Sequence, residues 1–124
     1  MGRTPEGLRE AIVEIEKVKT DFWKNVKVPG EASGMNTELE KAFRVADFIE
    51  LGHLMAIDAL NRNESCGGHL REDHATPDGE AERDDVNYKY VAAWEYKGED
   101  INSEVVHKED LVYDNIEVKA RSYK

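Results

Sequence analysis

Apolar residues near the start of the chain recur at alternating spacings of three and four: Leu8, Ala11, Ile15, Val18 and Phe22. That spacing is one seam of an α-helix and predicts a helix over residues 4–24. Arg9, Glu10, Glu14, Glu16, Lys17 and Lys19 fall on the faces left to water. Thr4 suits the cap, Pro5 the first helical position, and Glu6 the positive end of the helix dipole. Pro29 and Gly30 close the segment, and residues 32–35 read as a loop.

A second helical pattern starts at Asn36 or Thr37, where Thr37-Glu38-Leu39-Glu40 has the form of a capping box, and runs to about Asn61. It is apolar on two sides. One stripe is Leu39, Ala42, Ala46, Ile49, Ala56 and Leu60; the other is Phe43, Phe48, Leu51, Met55 and Ala59. The first helix has one seam and covers one stripe. The second stripe is left either to the strand region or to a neighbour outside this sequence. Gly52 sits mid-helix, where it costs about 1 kcal/mol relative to Ala, and is expected to mark the close approach of another backbone. His53 lies one turn from Ile49 and Ala56 and is expected to be part-buried and hydrogen-bonded.

Residues 63–85 form a polar stretch longer than ordinary loops of compact domains, which points to a binding or disordered segment. Thr76-Pro77-Asp78-Gly79 reads as a turn within it. Period-two patterning follows: Val86, Tyr88, Tyr90, Trp94 and Tyr96 share one face of a predicted strand over residues 86–96. Residues 97–100 would turn the chain and 101–108 return as the hairpin partner. Residues 111–113 and 116–120 are further short strand candidates. The fold class predicted is mainly α with a small β part: an antiparallel helical hairpin, forming an incomplete three-helix bundle, then a long loop and a C-terminal β-hairpin. The divisions are 1–62 for the helical hairpin, 63–85 for a polar docking loop, and 86–124 for the β-hairpin and extended tail.

Charge narrows the partners. With 27 acidic and 17 basic residues in 124, the net charge is −10. Such a surface repels a phosphate backbone and a bilayer of anionic lipid. No apolar run approaches the roughly 18–20 residues of a membrane span, and no signal-peptide core follows Met1. The single cysteine, Cys66, fits a reducing compartment, so a cytoplasmic setting is expected.

Chemistry-bearing side chains concentrate in Glu64-Ser65-Cys66-Gly67-Gly68-His69-Leu70-Arg71-Glu72-Asp73-His74. Cys66, His69 and His74 are a conceivable metal set, although structural zinc sites carry paired short spacings on both halves and only one half is present. Cys66 with His69 and Asp73 is a conceivable nucleophile arrangement, without spacing that brings the groups face to face. The reading that uses every residue is structural. Gly67-Gly68 lets the chain turn sharply off the second helix, and the directional groups around it satisfy backbone or dock a partner. Tyr88, Tyr90, Trp94 and Tyr96, in acidic surroundings, suit a sheet core or protein interface better than a platform for nucleic acid. There is no G-x-G-x-x-G and no Walker loop.

The run from Asn61 to Asp73, Asn61-Arg62-Asn63-Glu64-Ser65-Cys66-Gly67-Gly68-His69-Leu70-Arg71-Glu72-Asp73, followed by Arg83-Asp84-Asp85-Val86-Asn87, resembles the C-terminal domain of succinate dehydrogenase and fumarate reductase flavoprotein subunits. The family pattern is approximately R-x-E-S-R-G-x-H-x-R-x-D, a gap, then R-D-D-x-N. Met35-Asn36-Thr37-Glu38-Leu39 and Asp58-Ala59-Leu60 are similar to the preceding helix of that family. Trp94-Glu95-Tyr96-Lys97-Gly98-Glu99 and Leu111-Val112-Tyr113 are similar to the tail of a bacterial branch. Cys66 stands where the family usually has arginine and Gly68 where alanine is common; the cysteine speaks against an essential role for that side chain.

What the resemblance implies is a module of a larger oxidoreductase. FAD and the residues that handle the dicarboxylate belong to other domains of such a parent, so no cofactor and no catalytic residue is expected here. The partners implied are the flavin-binding domain of the same subunit and an iron–sulfur subunit. The parent would stand on the cytoplasmic face of the inner membrane, without direct membrane insertion of this piece. Glu64, Ser65, His69, Arg71, Asp73, Arg83 and Asp84 are the docking candidates. By the same resemblance the chain begins at the second helix of the bundle, and the uncovered stripe gives it a route to self-association in isolation. The rival readings are a free-standing acidic interaction module and a small metal-binding protein using Cys66, His69 and His74.

Overall fold

A computed structural model describes residues 2–98 and 105–119. They form α1 (Pro5–Asn25), α2 (Thr37–Asn61), β1 (Tyr90–Glu95) and β2 (Val105–Asp110), mainly helix with a small antiparallel sheet as the patterning predicted. The chain divides into two compact units: Thr4–Asn61, and Met1–Arg3 together with Arg62–Lys124.

In the helical unit, Thr4 caps α1 by accepting a hydrogen bond from the Gly7 amide at 3.1 Å, with Pro5 at the start of the helix. The cap of α2 is Asn36 rather than a Thr37 box. Its Oδ1 accepts from the amides of Glu38 and Leu39, while its Nδ2 donates to the Pro29 carbonyl. An amide side chain does both at once, closing the connection and capping the helix; a threonine hydroxyl in the next position is not needed. The helices run antiparallel. Lys19 pairs with Glu50 at 2.6 Å, and three residues back on α1, Glu16 approaches His53 three residues further along α2.

The seam of α1 is rotated from its expected position. Leu8 is buried, Ala11, Ile12, Ile15 and Phe22 are half-buried, but Val18 is exposed and Lys19 is half-buried in its place. At 100° per residue, position 18 drifts to the edge of the face that Leu8 and Ile15 define, whereas position 19 stays on it; the lysine stem covers apolar surface and its head reaches Glu50.

On α2 the first stripe faces inward, with Ala42, Ala46, Ile49 and Leu60 half-buried and His53 and Ala56 buried; Leu39, at the helix start, is exposed. Ala59, expected on the second stripe, is buried too. The rest of that second stripe is open: Phe43, Phe48, Leu51 and Met55 are exposed, Phe48 at 65% and Met55 at 58%. Gly52 lies in the same band, four residues after Phe48 and three before Met55, and a Cβ placed on it meets nothing within 4 Å. The close approach expected there is not made among the described residues.

His53 also departs from expectation. It is 1% exposed, and neither ring nitrogen has a hydrogen-bond partner among the described residues; the Glu16 carboxylate stands 3.6 Å from Nε2, outside hydrogen-bonding distance.

In the second unit, β1 and β2 pair antiparallel from Tyr90↔Asp110 to Glu95↔Val105. Tyr90, Ala92 and Trp94 are half-buried while Val91, Ala93 and Glu95 are exposed, which is the predicted alternation. The strand starts later than predicted. The Asp84 carboxylate accepts from the amides of Val86 and Asn87, and the Asp84 carbonyl accepts from the Tyr88 amide. These bonds curl residues 84–88 into a turn, so Val86 is exposed and Tyr88 precedes the strand. Tyr96 lies past the strand's end and is exposed. Of the predicted turn and return strand, residues 99–104 lie outside the described residues. Residues 111–119 are not strands: the Leu111 amide bonds the Lys89 carbonyl, extending the ladder by one step, and no further partner strand is present among the described residues. Ala120 lies outside the described residues.

Candidate functional site

The polar stretch that reads as a docking loop is a tightly wired structure. It leaves α2 at Arg62, whose guanidinium pairs with Glu64 at 2.6 Å and donates to the carbonyls of Tyr88 and Tyr90. The same guanidinium stacks over both tyrosine rings, 5.7 and 5.0 Å from their centroids, while Lys108 of β2 covers Tyr90 at 4.4 Å. The tyrosine pair is therefore engaged by cations of its own unit.

Glu64 and Ser65 are buried. The second carboxylate oxygen of Glu64 accepts from the Asp84 amide, which joins the start of the loop to its end. Ser65 Oγ accepts from the Arg71 amide at 2.8 Å and donates to the Arg71 carbonyl at 3.1 Å, doing for Arg71 what a paired strand would do. Between them, Cys66 and His69 exchange both backbone hydrogen bonds around Gly67 and Gly68. Gly67 has φ of 59°, a left-handed conformation that explains a glycine at this turn. Thr76 to Gly79 forms the predicted turn, with Gly79 at φ of 80°.

Arg71 is the largest fully buried side chain, at 2% exposure. Its Nε and Nη2 grip the two carboxylate oxygens of Asp73, both at 2.8 Å, and Nη1 reaches the Arg62 carbonyl and Asn63 Oδ1. A fork-to-fork pair of this kind is among the strong polar contacts, and it keeps a buried guanidinium compensated. The Arg71 hydrogen bond holds the Asp73 carboxyl below the usual aspartate range. Asp84 is likewise held low, first by the Asn87 side-chain amide and then by the Asn87 backbone. Arg83, raised by its bond to Asp85, also donates to the Lys119 carbonyl and so fastens the tail.

All seven sequence candidates fall into this one unit. Asp73 is exposed, His69, Arg83 and Asp84 are half-buried, and Glu64, Ser65 and Arg71 are buried with polar groups engaged inside the loop. Cys66 is exposed. Among the described residues no group of three or more His, Cys, Asp or Glu converges as a metal set, so Cys66, His69 and His74 are not brought together. Two participants escaped the sequence reading. Arg3 forms a parallel bridge to Arg71, and Arg62 organises the tyrosines. The Tyr-x-Tyr spacing after a motif arginine was a usable signal for the second; nothing local marks the first.

The loop motif and the helices before it belong together in known proteins. The family model described as fumarate reductase flavoprotein C-term matches residues 1–123. The chain belongs to this family, the C-terminal domain of fumarate reductase and succinate dehydrogenase flavoprotein subunits. It is 35% identical over 86 residues to a fumarate reductase flavoprotein subunit of Serratia sp. (strain ATCC 39006), covering 69% of this chain and 14% of that protein. A fumarate reductase flavoprotein subunit of Haemophilus influenzae is 29% identical over 86 residues, 69% of this chain and 13% of that protein. The matched stretch thus spans a small fraction of the relatives' length. Among the described residues, no helix is long and apolar enough to cross a membrane.

Proposed function

We propose that this chain is the supporting and docking module of a flavoprotein subunit that moves electrons between succinate or fumarate and FAD, and on to an iron–sulfur subunit. The observation that carries the reading is the open band of α2: exposed Phe48, Leu51 and Met55 around a Gly52 with clear space above it. An apolar stripe interrupted by glycine is the surface on which another helix or backbone approaches closely. The family match supports a larger parent, because the chain covers so little of its relatives.

In this reading the helical hairpin packs on a neighbouring helix and on the flavin-binding domain of the same subunit. The loop of residues 63–85 and the ribbon that follows it serve the partner surfaces. Asp73, Arg83, Asp84 and His69 supply contacts, and Glu64, Ser65 and Arg71 hold the loop in shape. FAD is placed elsewhere in the parent. The parent is placed at the cytoplasmic face of the inner membrane. Purified alone, the chain is expected to be colourless and inactive with succinate or fumarate. A yellow preparation retaining stoichiometric flavin overturns the reading.

A further inference from the structure

Arg3, two residues before α1, and Arg62, the residue after α2, meet at one imidazole. The Arg3 amide donates to the Leu70 carbonyl and the Glu72 amide donates to the Arg3 carbonyl, each at 2.9 Å, so the backbone at Arg3 is held against the loop by an isolated parallel bridge to Arg71. Arg3 Nη1 also reaches the Gly68 carbonyl at 3.3 Å and His69 Nδ1 at 3.1 Å. On the opposite side of the ring, His69 Nε2 is 3.0 Å from the Arg62 carbonyl. A guanidinium only donates and a carbonyl only accepts. Nδ1 must therefore carry the lone pair and Nε2 the proton.

We propose that His69, locked in this neutral Nε2–H form, is a clasp that ties the backbone entering the helical segment to the backbone leaving it. The chemistry is specific to an imidazole of one tautomer. A cationic ring has no lone pair for Arg3, and the other tautomer sets N–H against N–H on one side and lone pair against lone pair on the other. Two guanidiniums beside the clasp are paired with carboxylates: Arg62 with Glu64, and Arg71 with Asp73. Arg3 is left to the Gly68 carbonyl and the ring. The Cys66–His69 backbone pair, with Gly67 in its left-handed conformation, presents the ring between the two chain segments. The proposal does not depend on what the parent protein does.

Nitrogen-15 spectra of the histidines in the full 124-residue chain at neutral pH test it. His69 is expected to show an unprotonated Nδ1 and a protonated Nε2. Arg3→Met removes the donor and is expected to let the Nδ1–H form appear. Glutamine places a donor and an acceptor at nearly the ring's separation, so His69→Gln is expected to keep exchange of the Glu72 amide within about threefold, while His69→Leu raises it about tenfold, the scale of one or two lost hydrogen bonds. An Nδ1–H ring in the unmodified chain, or equal Glu72 protection in the Leu and Gln variants, overturns the proposal. Should the Leu variant fail to fold, the spectra of the unmodified and Arg3→Met chains still decide it.

Discussion

The helical hairpin and the loop that follows it solve opposite problems. The helices are rich in apolar residues and leave much of that surface uncovered, with Phe48 65% exposed. The loop of residues 62–88 is rich in polar residues, yet it buries Ser65 completely and Arg71 to 2%. What differs is self-sufficiency. A buried polar group needs a partner at bonding distance, and the loop supplies its own: Ser65 for the Arg71 backbone, Asp73 for the guanidinium, Glu64 for Arg62 and the Asp84 amide. An apolar stripe needs area, and the helical unit is short of it on one side. Polarity alone is thus a poor guide to which segment is finished and which awaits a neighbour.

Substitutions sharpen the contrast, and the largest effect is expected in the polar region. Arg71→Met strips Asp73 and the Asn63 side chain of their donor and is expected to destabilise the chain by about 3 kcal/mol, read as a lowered urea midpoint. His53→Leu acts in the opposite sense. Removing two buried ring nitrogens that lack partners is expected to stabilise by about 1–2 kcal/mol, and a loss of similar size would mean that the ring has a partner in solution. Gly52→Ala adds helix propensity where nothing stands in the way, for a gain of up to about 1 kcal/mol in thermal or urea unfolding. Phe48→Ser, the removal of a large aromatic, is expected to change stability by only about 0.5 kcal/mol or less, because the ring is scarcely covered. A cost several times larger would show that the hairpin shields Phe48 after all.

Much of the architecture was legible in the residues. Two helices, their order, the Thr4 cap, the turns at Gly67 and Gly79 and the alternation from Tyr90 to Glu95 all follow from periodicity and turn chemistry. The two-sided character of α2 was legible as well: within the helical unit Phe48 and Met55 of the second stripe are exposed. What was not legible depends on side chains acting at a distance in sequence. Asp84 delays the start of the predicted strand because its carboxylate collects two amides downstream. Asn36 displaces the Thr37 box because it also bonds Pro29. The site residues were found as a cluster, but their burial was not foreseen, since a run of charged residues ordinarily marks a wet face. Arg3 was invisible because its partners lie more than sixty residues away.

That the helical unit leaves an apolar band of α2 open is tested most directly by methionine oxidation in dilute solution. Met35, 99% exposed, provides the internal standard for Met55. Peroxide attack follows exposure, so Met55 is expected to oxidise within about twofold of the Met35 rate. Protection of Met55 by about tenfold or more in the monomer would contradict the account, because the band would then be covered by the chain itself.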